Sequence, residues 1–452
     1  MVFYRLLLVL VLWSCACGAT DETLPYCGKA PPGAWRELAA PAGVAAGDGE
    51  RGELVAALTF IRHGARTPGS PCGRYVKETE GAAWDCSLMF HESPVTGSAR
   101  FARSFASEPQ TNDLGGSCES GQLLDSGFEQ HRALGAALRR AYRGPNATVA
   151  SLPMSDIKVR STDLSRTRAS AEALLTALTD DGVITVDTVD FAKDWLYPNS
   201  AVCPRLKLLE EAAYASPEFQ RWNTSASRLR LDAELGEVLG ESWSYGLEMA
   251  GGHLLDCLMT AACTGRSELL PRTLTPATLK TLVEKAEYRE YFKLKFDDAA
   301  YARLTAAPLL HKALEFAERA FAGGGAFALW SAHDTTVMPL EVVLGIDDGR
   351  WAPYAHALVV EVWLLDDEKF VRFVRDGRVA IAAFCDGAEL CPWHAFQQAT
   401  AWARTPRRCD VPEALVVDDE RQFTTADLAV TAGLSLVVGA AIALLVLRLN
   451  RK

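Results

Sequence analysis

Residues Leu54–Pro68 read LVAALTFIRHGARTP. The first eight, Leu54 to Ile61, are an unbroken apolar run of strand length, the pattern of a parallel strand buried on both faces. The run ends abruptly at Arg62-His63-Gly64-Ala65-Arg66-Thr67-Pro68. Ligands of open α/β sheets collect at the carboxyl ends of strands, so this change of chemistry marks a candidate site. Arg62 and Arg66 offer planar, permanently charged, bidentate donors suited to phosphate oxygens. Gly64 lets the backbone approach a ligand closely. Between the two guanidiniums, the His63 imidazole is placed to attack phosphorus, dividing one hard displacement into two easier ones.

Two further polar clusters follow apolar strands. Val159-Arg160-Ser161-Thr162-Asp163 precedes Arg166 and Thr167. Arg160 is a candidate third donor to the same phosphate, with an ion pair to Asp163 or Glu172 as the alternative; Arg166 reads as structural. After the run AFALW, Ser331-Ala332-His333-Asp334-Thr335-Thr336 supplies a phosphate ligand at His333 and a proton donor at Asp334. A nearby phosphate dianion favours the protonated carboxyl and the arginines oppose it. Asp334 also reads as a helix N-cap directed toward Thr336 and Val337.

Around these clusters the chain alternates strands with helices, which predicts an α/β layered fold. Residues Tyr26 to Arg51 form an extended lead-in, and Gly69 to Gly121 an irregular excursion stapled by cysteines. Helices are predicted over Gly127–Tyr142 and Ser165–Leu178, and a helical insertion over about 194–296. Ala357–Leu364 and Phe370–Val374 read as strands at a sheet edge. His91, His131, His253, His311, His356 and His394 have no partner motif, and Trp330 and Trp351 read as core.

The 452 residues carry a net charge of -11, which excludes a basic nucleic-acid scaffold but not an anionic substrate met by a few local arginines. Arg5, the apolar run Leu6–Trp13 and the small residues Ala16, Gly18 and Ala19 have the layout of a cleaved signal over residues 1–19. Leu428–Leu447 is uncharged and apolar; as a helix it would span about 30 Å, the thickness of a bilayer core. Asp418, Asp419 and Glu420 precede it, and Arg448, Arg451 and Lys452 follow. The positive-inside bias therefore predicts a single-pass type I protein, with residues 27–420 luminal or extracellular and 448–452 cytosolic. The mature chain keeps ten cysteines, an even set that suggests disulfides in an oxidising compartment. No C-x-x-C or H-E-x-x-H stretch suggests a zinc site. Asn146 and Asn223 head glycosylation sequons.

Together, RHGARTP, VRSTDLSRT and SAHDTT, in this order, resemble the acid-phosphatase branch of the histidine phosphatase superfamily, and GFEQHRALGAALRRAY is similar to that family's G-x-x-Q helix. The resemblance extends from about Leu54 to Cys409. It implies a three-layer α/β core with a mixed, mostly parallel sheet and an inserted helical cap over the strand ends. It implies His63 as the phosphorylated nucleophile, Asp334 as proton donor, Arg62, Arg66, Arg160 and His333 as phosphate ligands, and no metal or other cofactor. It also suggests the bridges Cys385–Cys391 and Cys203–Cys409. Pairing of Cys27, Cys72, Cys86, Cys118, Cys257 and Cys263 stays open. Small phosphomonoesters and a membrane are the expected partners, with a homodimer compatible with the chain. Membrane-bound members are similarly type I proteins, which points to an endosomal, lysosomal or cell-surface membrane. The tail RLNRK has no tyrosine for a lysosomal sorting signal.

Other phosphatase chemistries lack their residues. No C-x5-R exists for a cysteinyl route, Gly47-Asp48-Gly49 has no companion G-N-H for a metallophosphatase, and no G-x-S-x-G elbow occurs. Remaining alternatives are a phytase-like or phosphosugar phosphatase of the same fold, mildly disfavoured by the acidic balance, and an inactive receptor or adhesion ectodomain, disfavoured by retention of the whole polar set.

Overall fold

The apolar run at Leu54 lies within strand β1 (Gly52–Arg62), where every residue from Ala56 to Arg62 is buried. The computed structural model describes residues 32–41, 52–69, 118–153, 157–180, 184–239, 253–405 and 408–410, with Cys27, Val44, Cys72, 84–86, 94–95 and 98–99. Both terminal apolar runs and most of the 69–121 excursion lie outside the described residues. Among those described, no helix is long and apolar enough to cross a membrane.

β1 sits inside an eight-stranded mixed sheet with β2 (Ile157–Ser161), β3 (Val186–Asp187), β4 (Phe327–Ala332), β5 (Ala357–Leu365), β6 (Glu368–Arg375), β7 (Arg378–Ala380) and β8 (Cys391–Pro392). The order is β8–β6–β5–β1–β4–β2–β3, with β7 also on β6. Strands β1, β4, β2 and β3 pair in parallel, whereas β5 to β8 join through antiparallel ladders.

Two expectations are thereby corrected. The sheet is not mostly parallel, because β5, β6 and β7 form a meander closed by two-residue turns, Asp366-Asp367 and Asp376-Gly377. All four turn residues have positive φ, between 47° and 77°, the geometry that matches the twist of paired strands. Nor is β5 an edge: it lies between β1 and β6 and is buried from Ala357 to Trp363.

Helices cover both faces. On one, α1 (Pro32–Glu37), α2 (Asp125–Tyr142) and α3 (Ser165–Leu178) bring Trp35, Leu134, Leu138 and Leu174 against Ile61, Leu329 and Val359. Between β3 and β4 the chain forms α4 (Arg205–Ala215), α5 (Pro217–Asn223), α6 (Ala226–Leu239), α7 (His253–Cys263) and α8 (Pro276–Phe321). α8 is two helical segments, broken at Phe296–Ala299 where Asp297, Asp298 and Ala299 turn left-handed. Its second segment, α4, α9 (Asp334–Leu344) and α10 (Trp393–Ala399) cover the other sheet face around Phe60, Trp330, Leu310, Leu340 and Phe396. The first segment of α8 packs with α6 and α7 in a separate core, which also takes in Ala65 and Tyr354 from the site loops.

Among the described residues five disulfides are formed. Cys27–Cys263 and Cys72–Cys257 tie the lead-in and the loop after β1 to α7, and Cys86–Cys118 closes part of the excursion. Cys203–Cys409 and Cys385–Cys391 tie the C-terminal portion. Asn146 is exposed, and Asn223 closes α5.

Candidate active site

Parallel register aligns the ends of β1 and β4: Arg62 lies opposite Ala332, and the His63 amide donates to the Ala332 carbonyl at 3.0 Å. The next residue of each strand is a histidine, so His63 and His333 face one another with ring centroids 5.5 Å apart. From the other side, the Ala355 amide donates to the His63 carbonyl at 3.1 Å and the Arg62 amide to the His356 carbonyl at 3.0 Å.

Behind this loop two glycines meet. A Cβ on Gly64 would lie 2.4 Å from the Gly127 carbonyl oxygen, and one on Gly127 would lie 2.1 Å from that of Ala65. Gly64 is therefore required for the close approach of this loop to α2. Gln130, one turn along α2, accepts the Ala65 amide at 2.8 Å. Gly127→Ala is expected to destabilise the protein by about 1–3 kcal/mol, because neither backbone can yield without moving the loop that carries His63. A lowered urea midpoint would register this; an unchanged midpoint would mean the loop has slack.

The His63 Nδ1 lies 2.9 Å from the Gly64 carbonyl oxygen. A carbonyl only accepts, so Nδ1 carries the proton and Nε2 keeps its lone pair. Burial above all, then the charges of Arg166, Arg66, Arg62 and His333, holds the His63 pKa well below 6.5. The imidazole is thus neutral, with one nitrogen fixed as donor and the other available as nucleophile. His333 is likewise held low, by burial and Arg166 with Asp334 opposing; its Nε2 lies 3.0 Å from Thr162 Oγ1.

Arg62 is fully buried. Its Nη1 donates to the Ala352 carbonyl at 2.5 Å, its Nη2 lies 2.9 Å from Asp334 Oδ2, and the guanidinium covers the Tyr354 ring. Asp334 Oδ2 also accepts from the Trp351 indole at 2.8 Å, and Oδ1 from the Thr335 amide at 2.8 Å. Burial pushes the Asp334 pKa up, but Arg62, the Trp351 hydrogen bond, His333 and the Thr335 amide outweigh it and bring it to about 2. Asp334 is not the N-cap of α9. That position belongs to His333, whose carbonyl accepts the Thr336 and Val337 amides.

The three other arginines divide unexpectedly. Arg66 spans to Asp256 on α7, with Nη2–Oδ1 at 2.8 Å and Nη1–Oδ2 at 3.2 Å. Arg160 turns to Asp194 at 2.7 Å, and its other terminal nitrogen donates to the Ser161 carbonyl. Arg166 enters the site instead. Placed in the first turn of α3, it is the leading charge acting on both His63 and His333. Burial and then Arg66 push its own pKa down to about 9, still far above mildly acidic pH.

The site thus takes in Arg166, which reads as structural in the sequence, Trp351, which reads as core, and Asp256, which no motif marks. For Arg166 the available signal was its place at a helix start beside a strand end; Trp351 and Asp256 had none. Trp330 stacks on Phe60 in the core. His356 is a buried cation between Glu341 and Asp376, at 2.6 and 2.7 Å. Burial lowers its pKa, but Asp376 and Glu341 outweigh that and raise it to about 10. A cavity of about 730 Å³ bordered by Glu218, Tyr288, Phe292 and Arg350 contains none of the histidine-site residues.

Residues 53–375 match the family model described as histidine phosphatase superfamily (branch 2). The chain is 28% identical over 393 residues to Counting factor 60 of Dictyostelium discoideum, covering 80% of this chain and 88% of that one. It is 30% identical over 269 residues to lysosomal acid phosphatase of Rattus norvegicus, covering 55% of this chain and 61% of that protein. Among solved structures, Hafnia alvei phytase in complex with tartrate has the same fold, with a TM-score of 0.55 at 14% identity over 82% of this chain and all of that one. Members of the family are phosphoric monoester hydrolases, and relatives of this chain bear the name acid phosphatase. With the match running from the start of β1 to the end of β6, the chain belongs to branch 2 of the histidine phosphatase superfamily.

Proposed function

We propose that the chain is an acid phosphatase that hydrolyses phosphate monoesters through a covalent phosphohistidine at His63, without a metal. The observation carrying this reading is the neutral His63 ring, pinned at Nδ1 by the Gly64 carbonyl and surrounded by arginines. Nε2 attacks phosphorus in line with the ester oxygen; the P–O bond breaks as the P–N bond forms, and Asp334 gives its proton to the departing alkoxide. Asp334, then a carboxylate, takes a proton from water, whose oxygen displaces His63 and releases phosphate. Arg62, Arg66 and Arg166 neutralise the phosphoryl oxygens through both steps, and His333 offers them a hydrogen bond. Asp334 acquires its proton when the incoming dianion competes for Arg62, which favours an acidic optimum.

Within this reading Arg166, rather than Arg160, is the third phosphate arginine. Arg166→Ala should lower kcat/KM for p-nitrophenyl phosphate by about 10²–10³-fold, the usual loss on removing one donor to transition-state charge. Arg160→Ala should act chiefly on stability, since it leaves the buried Asp194 carboxylate unpaired at a cost of about 3–5 kcal/mol. Steady-state kinetics beside urea unfolding separates the two. A larger kinetic loss for Arg160→Ala than for Arg166→Ala would return Arg160 to the pocket.

The flanking segments complete the proposal: a cleaved signal at 1–19, a luminal or extracellular domain at 27–420 with a helical cap at about 194–296, a membrane helix at 428–447 and a cytosolic tail at 448–452. They are supported by sequence layout and by disulfide formation, which belongs to oxidising compartments.

A further inference from the structure

We infer that Asp256 is a specificity-determining residue, which turns the site away from multiply phosphorylated substrates and toward monoesters with an uncharged leaving group. The inference rests on the phosphatase reading above and adds the substrate class. Asp256 projects from α7, and both its carboxylate oxygens contact the Arg66 fork, at 2.8 and 3.2 Å. Oδ2 also accepts the Gly69 amide at 2.7 Å. The adjoining Cys257 is bonded to Cys72, in the loop that follows the nucleophile, so the helix is fastened beside Arg66.

The charge balance explains the effect. Arg62, Arg66 and Arg166 bring three positive charges to the histidine pair, whose own rings are neutral. Asp334 holds one of these arginines and Asp256 another, leaving a surplus of a single positive charge. One phosphoryl dianion exceeds that surplus, and with Asp334 protonated it just balances the two positive charges then left. A second phosphate on the same substrate, reaching past Arg66, meets a fixed carboxylate instead of a cation. Like charges less than about 10 Å apart in a half-buried site differ in free energy enough to change binding about tenfold. Asp256 lies 190 positions from Arg66 in sequence and arrives on a helix outside the sheet, so a wall charge can vary without altering the nucleophile.

Asp256→Asn removes the charge while keeping shape and an oxygen for Gly69. In full-length protein, kcat/KM is measured for p-nitrophenyl phosphate and for inositol hexakisphosphate. The readout is the ratio of the second to the first, which a general loosening of Arg66 would not raise. The ratio should increase about tenfold, mainly through KM for the hexakisphosphate, and the increase should shrink in about 0.5 M salt. A change below about threefold in folded variant overturns the inference, since one charge at that range is worth more. Should Asp256→Asn fail to fold, Asp256→Ser, uncharged and still able to accept from Gly69, decides the matter by the same ratio. Wild-type protein that hydrolyses neither compound overturns the phosphatase reading itself, and the inference with it.

Discussion

His63→Ala should reduce turnover of an aryl phosphate by about 10⁵-fold or more, the scale of loss when a covalent nucleophile is removed. Acid-quenching the unsubstituted protein with a labelled phosphomonoester should trap the label on His63, and the variant should trap none. The ring cannot be replaced by a neighbour. His333 Nε2 is taken up by Thr162. Measurable wild-type turnover in His63→Ala, or label on another residue, would overturn the mechanism. The direction of the pKa shift adds a second signature. Since His63 loses its proton well below pH 6.5, the nucleophile is already neutral in mild acid. Activity should therefore fall less between pH 7 and pH 5 on its account than it would with an unperturbed histidine, which is mostly protonated at the lower pH.

Asp334→Ala should cost about 10²–10⁴-fold with an alkyl phosphate, the range of general acid catalysis. With p-nitrophenyl phosphate, whose leaving group departs without help, the loss should be at least tenfold smaller, about the difference that a missing proton makes. A uniform loss across leaving groups would mean that Asp334 only anchors Arg62. Asp334 is a carboxylate, held near 2 by Arg62 despite burial that pushes the other way. The same contacts that keep it ionised at rest are those the phosphate competes for, so arrival of substrate and arrival of the proton are one event.

What could be read from sequence was local. The run LVAALTFI and its sudden end at Arg62 announce both β1 and the site, because burial on two faces leaves a continuous apolar signature. Pairing across the chain is a different matter. Arg160 and Arg166 lie in the same VRSTDLSRT stretch, and choosing between them requires knowing that Asp194 waits beside Arg160. The position of Asp256 depends on a helix that returns over the loop, which no spacing encodes. β5 reads as an edge strand in the sequence, yet it lies inside the sheet with Glu361 standing in its apolar run. In the fold that carboxylate is buried but met by Arg372, Tyr142 and Trp363, so the strand is interior despite its charge. The meander beyond it follows from Asp-rich turns whose left-handed residues are not glycine except at Gly377.

The placement of β1 between β4 and β5 also sets a timetable. Its partners on β4 and β5 are made some 270 to 310 residues after it, which at about 5–20 residues per second means roughly 15–60 s of synthesis. Through that interval the chain carries an apolar strand with two unpaired edges, a template for pairing with other chains. The segment that bears the nucleophile is therefore the one most in need of shelter while the protein is being born, and fragments ending before residue 327 should depend on chaperones and never become enzymes.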